Sequence, residues 1–114
     1  MTIDTGLITW IAEALEPLGT LSRRRMMGGV TLYLDGAVFA IVDRDDALWF
    51  KADAASDAFW DGAGCARFAY ERDGTIAMIN YRRAPDEVYD DAEAMQKWAA
   101  PAIAAGRRAP RMRN

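Results

Sequence analysis

Residues 30–42, Val30-Thr31-Leu32-Tyr33-Leu34-Asp35-Gly36-Ala37-Val38-Phe39-Ala40-Ile41-Val42, decide the fold. Two short apolar runs flank Asp35-Gly36, a two-residue loop of the kind that accepts the positive φ a tight hairpin turn demands. Residues 30–34 and 37–42 are therefore expected as neighbouring antiparallel strands. Upstream, residues 21–27 read as a polar strand near a sheet edge. Gly28-Gly29 follows it, and paired glycines between two strands serve a bend or bulge that needs positive φ or close backbone approach. Downstream, Asp43-Arg44-Asp45-Asp46 is a solvated turn and residues 47–51 form a fourth strand. The first half is a meander.

Helices bracket this sheet. Leu7, Ile8, Ile11, Leu15 and Leu18 recur at helical spacing, with Asp4 or Thr5 as the start cap and Pro17 and Gly19 as the stop. Asp53 can cap a short helix carrying Phe59 and Trp60, which ends at Asp61-Gly62-Ala63-Gly64. Residues 66–71 and 75–81 form a second hairpin through Asp73-Gly74, and the stretch from Arg82 to Pro85 is extended because the residue before proline avoids the helical region. A last helix is expected over residues 91–105, capped by Asp90 or Asp91, with Met95, Trp98, Ala102 and Ile103 on one face. Pro101 removes one backbone bond and clashes with the Lys97 carbonyl, so a kink or an early end is expected there. The fold class is α+β: an antiparallel sheet with flanking helices in the order α-β4-α-β2-α. Residues 1–105 form a single domain, and residues 106–114 are an arginine-rich tail expected to be mobile.

Composition narrows the chemistry. The chain has 114 residues, 52% of them hydrophobic, which suits one domain with an ordinary core. It contains no histidine and one cysteine. Ser-His and Cys-His nucleophile pairs are therefore excluded, as is a closed Cys/His zinc shell. No cofactor is expected. The N-terminal residues lack a basic start followed by an apolar run, and no stretch is long and apolar enough to span a bilayer, so the chain reads as cytoplasmic, with no membrane partner.

Charge is distributed unevenly. The net is -3, yet Arg107, Arg108, Arg111 and Arg113 stand in the tail without an acid. Removing those four leaves ten cations against seventeen acids in residues 1–105, a net of -7. A body that acidic repels phosphate except where arginines gather, and Arg23-Arg24-Arg25 is the place where they do. That run serves equally to keep an edge strand from pairing with other chains. Arg82 and Arg83, beside Tyr81, form a second basic pair. Trp49, Phe50, Phe59, Trp60, Phe68, Tyr70 and Trp98 are assigned to the core. Cys65 reads as a structural thiol, with Arg67 the one cation near it in sequence. The Asp43, Asp45 and Asp46 turn lacks the glycine and distal glutamate of a calcium loop.

Arg24-Arg25-Met26-Met27-Gly28-Gly29-Val30, with Tyr33, Asp35-Gly36 and Phe39-Ala40-Ile41, resembles the hallmark of the TfoX/Sxy N-terminal domain family. Leu48-Trp49-Phe50-Lys51-Ala52-Asp53, Phe68-Ala69-Tyr70, Tyr81 with Pro85, and a closing helix containing Trp98 follow in the expected order. The family usually has phenylalanine where Met27 stands. The resemblance covers about residues 5–107. It implies a secretion-chaperone-like fold, often dimeric, and a regulatory role without catalysis: longer members act with a transcription activator and carry a second, C-terminal domain. No catalytic residues come with it.

The functional expectation is a non-enzymatic regulatory or adaptor domain, a homodimer that meets a transcription activator or other regulatory protein. Arg23, Arg24, Arg25, Arg82 and Arg83 are its contact residues, and Gly28 and Gly29 its motif glycines. The alternative is nucleic-acid binding through Arg23, Arg24, Arg25 and the basic tail. A third class, an enzyme or small-ligand binder built on carboxylates such as Glu71 or Glu87, needs a concave pocket holding one of them.

Overall fold

The computed structural model describes residues 5–26 and 28–110 of the chain. Met27, Asp4 and the side chain of Thr5 lie outside it, and with them the expected start cap of the first helix. Helix α1 (Thr5–Leu15) leads through a 3-10 turn at Glu16–Leu18 into strands β1 (Leu21–Met26), β2 (Gly29–Leu34), β3 (Ala37–Val42) and β4 (Leu48–Lys51). Helix α2 (Asp57–Gly62), strands β5 (Arg67–Arg72) and β6 (Thr75–Arg83), a 3-10 turn at Asp86–Tyr89 and helix α3 (Ala92–Arg108) complete the chain. This is the α+β order expected from the turn chemistry. Both Asp-Gly hairpins have left-handed φ at each central residue, 51° and 85° at Asp35 and Gly36, 52° and 79° at Asp73 and Gly74. That is the type I′ geometry matching the right-handed twist of paired strands.

All six strands join one antiparallel sheet in the order β1-β2-β3-β4-β6-β5. The second hairpin docks by its second strand: Trp49 lies opposite Arg83, Phe50 opposite Arg82, and Lys51 opposite Tyr81. Strands β1 and β5 are thus the two edges.

Alternation sends Val30, Leu32 and Leu34 of β2, Val42 of β3, and Leu48 and Phe50 of β4 to the face covered by α1 and α3, and all are buried. A bulge between β2 and β3 lets Phe39 join Ala40 in that core, so two consecutive residues of β3 are buried. From the helices come Ile8, Ile11 and Leu15, and Met95, Ala99, Ala102 and Ile103. Each large side chain so enclosed contributes about 1.5–3 kcal/mol. The core stacks Trp60 on Phe50 and on Trp98, with ring centroids 5.7 and 6.0 Å apart. Phe59 and Tyr70 depart from the expected core, being 45% and 37% exposed.

Two boundaries differ from the sequence expectation. Asp53 accepts a hydrogen bond from the Ser56 backbone amide (3.1 Å) and donates its own amide to Ser56 Oγ (3.0 Å), a reciprocal cap on a turn, and the α-helix starts only at Asp57. Helix α3, capped by Asp91 through the Glu93 and Ala94 amides, does not end at Pro101 but continues to Arg108. Packing decides this. Ala102, Ile103, Ala105 and Gly106 beyond the proline are all buried, and Arg108 makes two 2.8 Å hydrogen bonds to the Asp53 carboxylate. Residues 106–108 are therefore helical; residues 111–114, where the expected mobility of the tail would lie, are outside the described residues. No helix among the described residues is long and apolar enough to cross a membrane.

Candidate functional site

Leu21 at the start of β1 packs against the core, and the other five residues of the strand, Ser22 to Met26, are exposed. Beside this edge, the last turn of α3 descends onto the β2–β3 hairpin. It does so because position 106 is glycine: a Cβ there would overlap the Val38 carbonyl oxygen. The result is a groove of about 590 Å³ walled by Ser22, Arg23 and Arg24, by Tyr33, and by Arg107 and Pro110. Three arginines line it and no carboxylate does. The ion pair between Arg108 and Asp53 fixes the helix turn that carries Arg107. Arg108 holds the Asp53 carboxyl down at about 2.

Strand alternation divides the arginine triplet. Arg23 and Arg25 lie opposite Leu32 and Val30 on the helix-covered side of the sheet, and Arg24 lies opposite Thr31 on the open side. Both sides of this edge are consequently basic. Sequence reading missed Arg107 and Tyr33 as members of the same groove. The local hint was Gly106, a glycine that turned out to mark close packing inside a helix and not a helix end.

Arg82 is corrected outright: it is 1% exposed. Its guanidinium donates to Asp61 Oδ1 (2.7 Å), Asp57 Oδ1 (3.0 Å), Asn80 Oδ1 (2.9 Å) and the Cys65 carbonyl (3.1 Å). It ties α2 to β6 and has no surface to offer a partner. The Asp57 carboxyl is held below the usual range, first by the Asn80 amide and then by Arg82. Arg83, one residue on, faces the open side with its guanidinium 5.5 Å from the centroid of the Trp49 ring. Three strands separate it from β1, which puts it about 19 Å from the triplet. The structure does not gather the five arginines into one site.

The glycines split their roles. Gly28 has φ 73°, while a Cβ on Gly29 would stand 2.5 Å from the Val42 carbonyl oxygen. Asp43 is the hub of its turn, accepting from the Asp45 and Ala47 amides and from the Trp49 indole. Burial pushes the Cys65 thiol up, against the pull of Arg82. Glu71 is exposed on β5, and Glu87 accepts from the Trp98 indole. Among the described residues, no three acidic or sulfur side chains group to hold a metal ion.

Most of this geometry sits within a recognisable sequence frame, because residues 13–106, from inside α1 to the glycine in the last turn of α3, match the family model of the TfoX N-terminal domain, with Arg107 and Pro110 just past the match. The chain belongs to the TfoX N-terminal domain family. A TfoX relative, the DNA transformation protein TfoX1 of Aliivibrio fischeri (strain ATCC 700601 / ES114), is 36% identical over 67 residues. That match covers 59% of this chain and 32% of the relative, so the chain spans about a third of the length of the TfoX protein it matches. The TfoX domain thus includes both the arginine-lined edge and the buried Arg82 cluster.

Proposed function

We propose that this chain is a non-enzymatic regulatory adaptor of the cytoplasm, a homodimer that grips an acidic surface of a transcription activator or other regulatory protein in the groove beside β1. One observation carries this reading: Arg23, Arg24 and Arg107 border the groove with no carboxylate in the lining, on a chain whose net charge is -3. Arg25 extends the basic edge. A groove of one sign attracts surfaces of the opposite sign and repels basic ones, which favours an acidic partner. Kinship with a DNA transformation protein supports a regulatory role over a catalytic one. The test is capture from a nuclease-treated native lysate. Wild type is expected to retain a protein that the Arg23→Ala/Arg24→Ala/Arg107→Ala variant does not. Equal retention by both would overturn the assignment of the groove.

A second reading has its own support, since Arg107 brings the start of the basic tail beside the triplet. In that reading the groove takes a nucleic-acid backbone. Neutralising three phosphates would give a log–log salt slope of about -3 on duplex DNA. Anisotropy of a labelled oligonucleotide that shows no salt-dependent binding would remove this alternative.

A further inference from the structure

The two edges of the sheet are built differently. Strand β1 carries arginine at three consecutive positions, so an antiparallel second copy centred there would meet arginine with arginine; that edge is guarded against self-pairing. Strand β5 has no such guard. Its central residues Phe68, Ala69 and Tyr70 are uncharged, it contains no proline, and it pairs with β6 alone.

The apolar surface of the described residues also gathers here. Of seven exposed large hydrophobic side chains, four belong to the β5–β6 hairpin: Tyr70 at 37%, Ile76 at 67%, Met78 at 59% and Ile79 at 37%. Ile76 and Met78 lie on the helix side of the sheet, beyond the reach of α1 and α3. Tyr70 and Ile79 lie on the open side, Ile79 opposite Phe68.

We propose that two copies of this chain pair antiparallel along β5, with the two-fold axis at Ala69, joining their sheets into one. This rests on the homodimer reading above and names its surface. The sequence of β5 is self-complementary in that register. Arg67 faces Glu71 of the partner subunit, and Glu71 faces Arg67 of the partner subunit, both on the helix side. On the open side Phe68 stacks beside Tyr70 of the partner subunit, twice over. At the axis two small alanines meet, and Met78 reaches toward them from each side. Moving the axis one residue on, to Tyr70, sets Phe68 against Arg72 of the partner subunit and Ala69 against Glu71 of the partner subunit and leaves both carboxylates without a cation opposite, so charge selects the register. Arg67 remains available: its one ion pair among the described residues, to Asp57, is 3.5 Å long and engages a single guanidinium nitrogen. Glu71 makes no ion pair among the described residues.

The test is molar mass by light scattering and sedimentation over a dilution series of the whole chain. Wild type is expected at twice 12.6 kDa. Glu71→Arg, which sets two arginines facing across each pair, should weaken the dimer about tenfold or more. The swap Arg67→Glu/Glu71→Arg restores complementarity and should recover the dimer. Ala69→Glu, which places two carboxylates at the axis without touching either ion-pair residue, should also dissociate it. Circular dichroism melts of each variant separate dissociation from unfolding. A wild-type chain that is monomeric at every concentration overturns the homodimer itself. A dimer indifferent to both Glu71→Arg and Ala69→Glu keeps the homodimer and overturns β5 as its surface.

Discussion

Arg82 Nη2 lies 3.0 Å from Asp57 Oδ1, across 25 residues of chain, and this pair fastens α2 to the strand that docks the second hairpin. The guanidinium is enclosed, and it also donates to Asp61, Asn80 and the Cys65 carbonyl. Removing the guanidinium leaves a cavity and takes the shared partner from Asp57, Asn80 and the Cys65 carbonyl, with the more exposed Asp61 at its rim. Arg82→Ala should therefore lower stability by about 3 kcal/mol, read as a fall in the urea midpoint. Arg82→Lys, which keeps the charge without the planar fork, should recover only part of it. A midpoint unchanged in the alanine variant would show that the cluster holds nothing together.

The same residue shows where the sequence stops speaking. Strands β1 to β4 are legible because short turns at Gly28-Gly29, at Asp35-Gly36 and at the clustered aspartates join them. The β5–β6 hairpin is equally legible by itself. What no local signal carries is that β6 slots between β4 and β5, a pairing of Phe50 with Arg82 over 32 residues. Register sets the phase of alternation, so Arg82-Arg83 looks like one basic patch and folds as one buried and one open residue. Arg23 and Arg24 are legible as an edge, but Arg107 joins them only through helix packing. Pro101 is overridden for the same reason: burial beyond it outweighs one lost backbone bond.

The Arg108–Asp53 pair makes a prediction in acid. Arg108, aided by Ser56, holds the Asp53 carboxyl at about 2, below its ordinary 3.8. A depressed carboxyl adds stability that is complete above the ordinary value and is lost as pH falls through the folded one, here between about 4 and about 2. Carbon-detected titration of Asp53 should show this. In Arg108→Ala the carboxyl should titrate closer to its ordinary range, remaining slightly low because the Ser56 amide and hydroxyl still donate to it.

Cys65 should be a slow nucleophile. Its thiol is pushed up by burial, and the thiolate is the reactive form, so alkylation by iodoacetamide at pH 8 should run well below the rate in the urea-unfolded chain. Equal rates folded and unfolded would mean the thiol is freely open. Because Arg82 is the one influence lowering it, Arg82→Ala should slow the folded-state reaction further if the domain stays intact.

Gly106 couples the fold to the groove. Any side chain there meets the Val38 carbonyl, a backbone atom of a central strand that cannot rotate away, so the helix must rise instead. Gly106→Ala improves helix propensity by about 1 kcal/mol in isolation, yet overpacking against a strand costs about 1–3 kcal/mol. The net should be destabilising, seen as a lower melting temperature. Lifting the last turn of α3 also moves Arg107 away from Arg23 and Arg24 and stretches the Arg108–Asp53 bonds. The Asp53 carboxyl should therefore titrate higher in this variant, though neither of its partners has been changed. An alanine variant with wild-type stability and an unshifted Asp53 would show that the close approach of α3 to β3 does not position the basic groove.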